Sequence, residues 1–208
     1  DPGLGRGLVV CHCLVIESSD GLVLVDTGMG TEDMQHPYRR LGAPFKVGFA
    51  VEVDPAGTAI ERLRGLGLDP ADVRHIVPTH LDLDHAGGLP DFPEARVHVT
   101  ADEHRVAVNP SLRDSSRYRH FHFDHGPRWL IHQTDAGRHR SFRFESVRLL
   151  PGVDPEVLLI PLPGHSAGHT GVAVRDGEGW MLHCGDAYFN RSEMGTPPVA
   201  PKGIAAFE

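Results

Sequence analysis

The sequence predicts an α/β fold, a sandwich of β-sheets flanked by helices, from three observations. Short apolar runs rich in Val, Leu and Ile recur along the chain. They come in groups with helical segments between the groups, not in strict alternation. Several of them end in a side chain able to bind a metal, just past the buried part of the strand.

The elements follow in order. LVVCHCLVIE (8–17) is strand-like, and after SSDG the run LVLVDTGMG makes a second strand ending at Asp26, so the pair reads as a hairpin. Residues 31–53, with Pro37 and Pro44, read as a loop. Asp54-Pro55 opens a helix through Leu66, with Ile60, Leu63 and Leu66 on one face and Gly65 and Gly67 closing it. A buried strand runs from Arg74 to Pro78, and HLDLDHAGGL follows at its C-terminal end. ARVHVT (95–100) is another strand, and ADEHRVAVN a helix with Thr100 as N-cap. Residues 109–145 are polar, rich in His and Arg, and without apolar periodicity, which predicts a long excursion over the surface. Strands return at SVRLL (146–150), VLLIPL (157–162), TGVAVR (170–175) and GWMLHC (179–184). The tail GTPPVAPKGIAAFE shows no clear element.

A chain of 208 residues is most simply one domain, 1–208, large enough for a core without disulfides. Its net charge of −8 argues against a nucleic-acid backbone or an anionic membrane as partner. No apolar run reaches the length of a membrane span. Cys11, Cys13 and Cys184 lie in apolar runs and read as reduced and mostly buried, which suits a cytoplasmic protein. Fifteen histidines raise the prior for a metal site.

Two stretches compete for that site. HFHFDH (120–125) spells His-x-His-x-Asp-His in full, and HLDLDH (80–85) differs from it by one letter, Asp82. Ligands need a rigid platform. HLDLDH follows the apolar strand RHIVPT, and in an extended segment residues 80, 82 and 84 project to one side, with a turn at Ala86-Gly87-Gly88 swinging His85 toward the same centre. His165 in PGHSAGHTG, Asp186 in CGDA and Asp26 in VDTG each follow a buried strand in the same manner. HFHFDH sits in the excursion, with no buried strand predicted on either side. It reads as a surface loop anchored by Phe121, Phe123 and Trp129, with His125 open as a lid or substrate contact.

VDTG (25–28), THLDLDHAGG (79–88), PGHSAGHTG (163–171) and CGD (184–186), in that order, resemble the metallo-β-lactamase superfold of metal-dependent hydrolases. The resemblance covers most of the chain, residues 8–189, and the gap of 21 residues from His165 to Asp186 suits it. It implies a four-layer αβ/βα sandwich of two mixed sheets with helices outside. It also implies that His80 and His165 hold one metal, Asp84 and His85 a second, and that Asp186 bridges them. Asp26 is similar to the family's buried supporting aspartate, and His169 to a histidine behind the ligands. Two features depart from the pattern. Asp82 stands where most members have histidine, and a carboxylate there shifts preference from zinc toward iron or manganese. No histidine follows Asp186, where many members place a last ligand, so the second site is expected to be weak or the sequence to lack its C-terminal end.

The resemblance implies one or two divalent ions, zinc first, about 3.5–4 Å apart when paired, whose shared hydroxide attacks a carbonyl or phosphoryl centre. Asp84 is then ligand and proton shuttle, and Tyr188 is a candidate oxyanion contact, with half-buried packing as its rival role. The Ala-Gly-Gly and the 109–145 excursion resemble the lactonase-like branch, so the expected substrate is a small ester or lactone, with thioesters and phosphoesters behind it. The rival readings are a di-iron redox enzyme on the same residues and a non-catalytic metal-binding relative. A homodimer is left open.

Overall fold

The computed structural model describes residues 9–112, 114–133, 139–141, 144–146, 148–150 and 153–199. Its first sheet has five strands in the order β1 (Leu14–Ser18), β2 (Gly21–Val25), β3 (Val73–Val77), β4 (Arg96–Thr100) and β5 (Arg128–His132). β1 and β2 form the expected hairpin, with Leu14 opposite Val25. The pairs β2–β3, β3–β4 and β4–β5 are parallel, so their C-terminal ends share one edge. A small hairpin, β6 (His139–Ser141) and β7 (Phe144–Ser146), precedes the second sheet. That sheet is antiparallel, in the order β11 (Gly179–His183), β10 (Thr170–Asp176), β9 (Val157–Pro161) and β8 (Arg148–Leu149).

Alternation along the strands makes the layers. Val23, Val25 and Val77 face the second sheet and pack with Leu150, Val157, Leu159, Val172 and Val174 into the inter-sheet core. Leu22, Leu24 and Ile76 face the other way, onto Leu63 of helix α4 (Ala59–Gly65) and Ala107 of α6 (Ala101–Val108). The Thr100 hydroxyl accepts from the Glu103 amide, so the expected N-cap of α6 is formed.

Several elements differ from the sequence reading. Strand β1 begins only at Leu14, and Cys13 is exposed rather than buried. The supposed loop 31–53 holds three short helices, α1 (Thr31–Gln35), α2 (Pro37–Arg40) and α3 (Ala43–Gly48). They are too short to show an apolar period. The segment after Asn109 is no mere surface excursion: Tyr118 and His122 are buried, and β5 extends the first sheet as an edge strand. Mostly exposed edge residues gave β5 no alternating signature. Finally, HLDLDH is not one extended segment: the chain bends at His80, and a helical turn, α5 (Leu83–Ala86), starts before the glycines. The tail from 200 onward lies outside the described residues.

Candidate metal centre

The site forms where the C-terminal ends of β2 and β3 meet the ends of β9 and β11 and the start of β10. Backbone bonds tie these ends together: the Thr27 amide donates to the His85 carbonyl at 2.8 Å, and the Thr170 amide to the Thr79 carbonyl at 2.8 Å. Asp26 follows β2 with a φ of +55°, a strained value for a non-glycine residue. That backbone turns its carboxylate inward, where it is 1% exposed.

The hydrogen bonds of Asp26 settle which histidine nitrogens are free. Its Oδ1 accepts the Thr79 amide at 2.6 Å, and its Oδ2 accepts the Thr79 hydroxyl at 2.9 Å. The hydroxyl therefore donates to the carboxylate and has a lone pair left for His80 Nδ1–H, 3.0 Å away. His85 Nδ1–H donates to Asp26 Oδ2 at 3.0 Å. His80 thus presents a bare Nε2 to the centre, and the Nε2 of His85 faces Asp186. Burial pushes the Asp26 carboxyl up, but the His85 charge and hydrogen bond outweigh it and hold the group below the usual carboxylate range.

His80 Nε2 is buried and has no hydrogen-bond partner among the described residues. It lies in a cluster with His165 and Asp186 whose ligand atoms are all within 4.8 Å of one another. The two Asp186 oxygens divide between neighbours: Oδ1 is 3.2 Å from His85 Nε2 and Oδ2 is 3.6 Å from His165 Nε2. Burial raises the Asp186 carboxyl, yet the His85 hydrogen bond prevails and brings it down to about 2. The Asp84 carboxyl is pushed up by burial, and the nearby Asp82 and Asp186 charges add to this. A bare imidazole nitrogen aimed at a second imidazole and a carboxylate fits a divalent transition metal. Buried polar nitrogens are ordinarily paired, and this one faces two further donors instead.

His169 supports this set from behind. Its Nδ1–H donates to the Leu162 carbonyl at 3.0 Å, which leaves Nε2 to accept the Asp186 amide at 3.1 Å. Burial holds this imidazole neutral, with a pKa down to about 4. Gly185 makes the approach possible: at φ +50° it takes a left-handed turn, and a Cβ there would sit 2.8 Å from His169 Nε2. Tyr188 stands at the rim, 37% exposed, with its hydroxyl bonded to Cys184.

Two site residues escaped the sequence reading. Glu103, buried on α6, accepts the Leu81 amide at 2.9 Å, the Tyr118 hydroxyl at 3.1 Å, the Ser166 hydroxyl at 2.6 Å and the Gly168 amide at 3.1 Å. One carboxylate thus clamps the His80 loop, the His165 loop and the 109–125 segment. Arg117 holds Asp82 through Nε at 3.0 Å and Nη2 at 2.7 Å. Asp82, expected among the ligands, stands beside the other donors already paired to a cation. Its Oδ2 lies 3.1 Å from His165 Nε2 and 3.5 Å from His80 Nε2 while the guanidinium grips it.

HFHFDH lies elsewhere. Residues 120–122 form a turn of 3-10 helix, and His122 Nε2 bonds Asp33 Oδ1 at 3.0 Å beside Arg40, whose Nε reaches the same oxygen at 2.8 Å. His125 sits with His122 and Arg40.

Fold and donor set together define a metal-centred αβ/βα protein. The chain belongs to the metallo-beta-lactamase superfamily, whose family model matches residues 6–205. It is 46% identical over 187 residues to a "Probable metallo-hydrolase" of Mycobacterium tuberculosis, covering 89% of this chain and 59% of that one. It is 31% identical over 204 residues to an N-acyl homoserine lactonase of Agrobacterium fabrum, covering 91% of this chain and 67% of the relative. Among solved structures it is similar to an N-acyl homoserine lactone hydrolase with N-hexanoyl-L-homoserine bound at the catalytic metal center. The TM-score is 0.67 at 22% identity, over 93% of this chain and 72% of that one. The chain thus spans 59% of the length of the mycobacterial relative.

Proposed function

We propose that the protein is a metal-dependent hydrolase of small esters or lactones, with N-acyl homoserine lactones the first class to test. The observation that carries this is the bare, buried Nε2 of His80 facing His165 and Asp186. Lactonase relatives support the substrate class. His80, His165 and Asp186 would hold one divalent ion. His85 and Asp84 would hold a second, sharing Asp186. Zinc is favoured by the imidazole donors. When bound, the metal supplies a water that is nucleophilic near neutral pH and a Lewis acid for the acyl oxygen.

The chain's own groups do the rest. Asp26 keeps His80 and His85 in the tautomers that expose Nε2. His169 holds Asp186 by its amide. Asp84, a half-buried carboxyl whose pKa burial and neighbouring carboxylates raise, would carry a proton to the leaving alkoxide. Tyr188 at the rim is assigned to the substrate's acyl oxygen, a role that requires its hydroxyl to leave Cys184. Free cysteines suit a cytoplasmic location, and no helix among the described residues is long and apolar enough to cross a membrane.

The test is metal content by elemental analysis together with lactone opening followed by proton release. Metal near one or two per chain with turnover of acyl homoserine lactones supports the reading. A metal-loaded protein inert toward lactones and simple esters would overturn the substrate assignment.

A further inference from the structure

Asp82 is the residue that most sets this centre apart, and the structure shows what accompanies it. Asp82 occupies the N-cap position of α5 with extended backbone angles, yet its side chain makes no capping bond. An N-cap aspartate ordinarily gives an oxygen to the helix amides. Here both oxygens go to one guanidinium: Oδ1 accepts Arg117 Nε at 3.0 Å, and Oδ2 accepts Nη2 at 2.7 Å. The third nitrogen, Nη1, donates to the His165 carbonyl at 2.8 Å. Asp82 Oδ2 faces the imidazole nitrogens of His165 and His80, whereas Oδ1 is turned to the arginine.

Arg117 is itself fixed. The adjacent Tyr118 bonds Glu103, Arg119 Nη2 bonds the Leu41 carbonyl at 2.8 Å, and His122 is buried on Asp33. The chain is thus fastened immediately after Arg117, at 118, 119 and 122, and delivers a cation to one point. A bidentate arginine–carboxylate pair is the strongest ion-pair geometry available to side chains. Asp82 and Arg117 together carry no net charge, the same as a neutral histidine. A free carboxylate beside Asp84 and Asp186 would instead add a third negative charge and a two-oxygen donor, both of which favour hard, oxygen-seeking metals.

We propose that Arg117 sets the metal preference of this centre: by gripping Asp82 through both oxygens it cancels that residue's charge and leaves it one oxygen toward the donors, so the site selects metals as a histidine-bearing site does. Arg117 is a positioning residue, acting through Asp82. The proposal rests on the metal-centre reading above.

The experiment is competitive titration of the metal-stripped 208-residue chain with zinc and with manganese against a chromophoric chelator. Wild type should bind zinc in preference to manganese. Arg117→Met should lower the zinc-to-manganese affinity ratio by about tenfold or more, the scale on which groups behind the ligands act. Adding Asp82→Asn to that variant removes the released charge and should return the ratio toward wild type. An unchanged ratio in Arg117→Met overturns the proposal. So does equal loss of both metals without rescue by Asp82→Asn, since that marks Arg117 as a brace for the His165 loop alone. If Arg117→Met does not fold, Asp82→Asn alone carries the test. It leaves the guanidinium unpaired beside the donors and should weaken both metals, and equal or tighter binding contradicts the proposal. Wild type taking up neither metal overturns the metal-centre reading and this inference with it, whereas metal uptake with an unchanged ratio overturns the inference only.

Discussion

HFHFDH at 120–125 spells His-x-His-x-Asp-His in full, HLDLDH at 80–85 departs from it by one residue, and the two have opposite fates. HLDLDH leaves the end of β3, a strand buried on both faces, and Asp26 fixes its histidines with Nε2 toward other donors, that of His80 bare. HFHFDH curls into a single 3-10 turn and sends His122 Nε2 to Asp33. His122 also has a buried nitrogen without a partner, Nδ1. A bare nitrogen is therefore not enough. Among the described residues, the group of donors able to hold an ion is His80, His165 and Asp186. What makes a ligand is company on a rigid platform, and spelling alone supplies neither. The full-pattern stretch HFHFDH has a different task, anchoring the segment that carries Arg117 and Tyr118 to the site.

The largest effect that would break this contrast is at His165. His165→Ala should abolish both metal retention after dialysis and lactone hydrolysis, read by elemental analysis and a proton-release assay. Full retention would move the centre elsewhere. Asp26→Asn comes next. It touches no metal in our account yet frees the tautomers of His80 and His85, so metal affinity should fall about 10–100-fold in chelator competition.

The anchor should respond in a different currency. His122→Ala removes one donor from buried Asp33, which keeps Arg40, so unfolding in denaturant should show a loss of about 1.5–3 kcal/mol, the scale for a hydrogen bond to a charged group. Its metal stoichiometry should stay at the wild-type value.

A third setting sharpens the comparison further. His75, His98 and His132 form a row across β3, β4 and β5, with ring nitrogens 2.8 and 3.0 Å apart and Asp20 at one end, 3.0 Å from His75. Burial first, then the neighbouring histidines, lowers the His98 pKa to about 3. The unfolded chain takes up that proton near its ordinary value of about 6.5. The contribution of neutral His98 is thus complete above that pH. It is lost as pH falls toward 3, at no more than about 1.4 kcal/mol per unit. His98→Gln should flatten that part of the stability profile, and an unchanged slope would discharge His98 from this role. The smallest effect is expected at His120, which is exposed: His120→Ala should change neither metal content nor stability.

What the sequence made legible were residues announced by their own strands. Asp26, His80, His165 and Asp186 follow apolar runs, and a run's end is visible in one dimension. Glu103 and Arg117 are not announced in this way. Their partners lie 22 and 35 positions off, and only the packing of α6 and the 109–125 segment brings them in. The same limit hid α1 to α3 and β5. Short helices and an edge strand leave no apolar period, and their burial depends on polar side chains such as Asp33 and His122 that read as surface. Asp82 was visible as an oddity, but its meaning lay in a guanidinium that no local pattern points to.

The central claim is that the metal sits at 80, 165 and 186 and not at 120–125. Metal per chain in wild type, His80→Ala and His122→Ala, purified side by side without added metal or chelator, tests it most directly. Our account expects metal in wild type and in His122→Ala and little or none in His80→Ala. Equal metal in wild type and His80→Ala, with loss in His122→Ala, would contradict it.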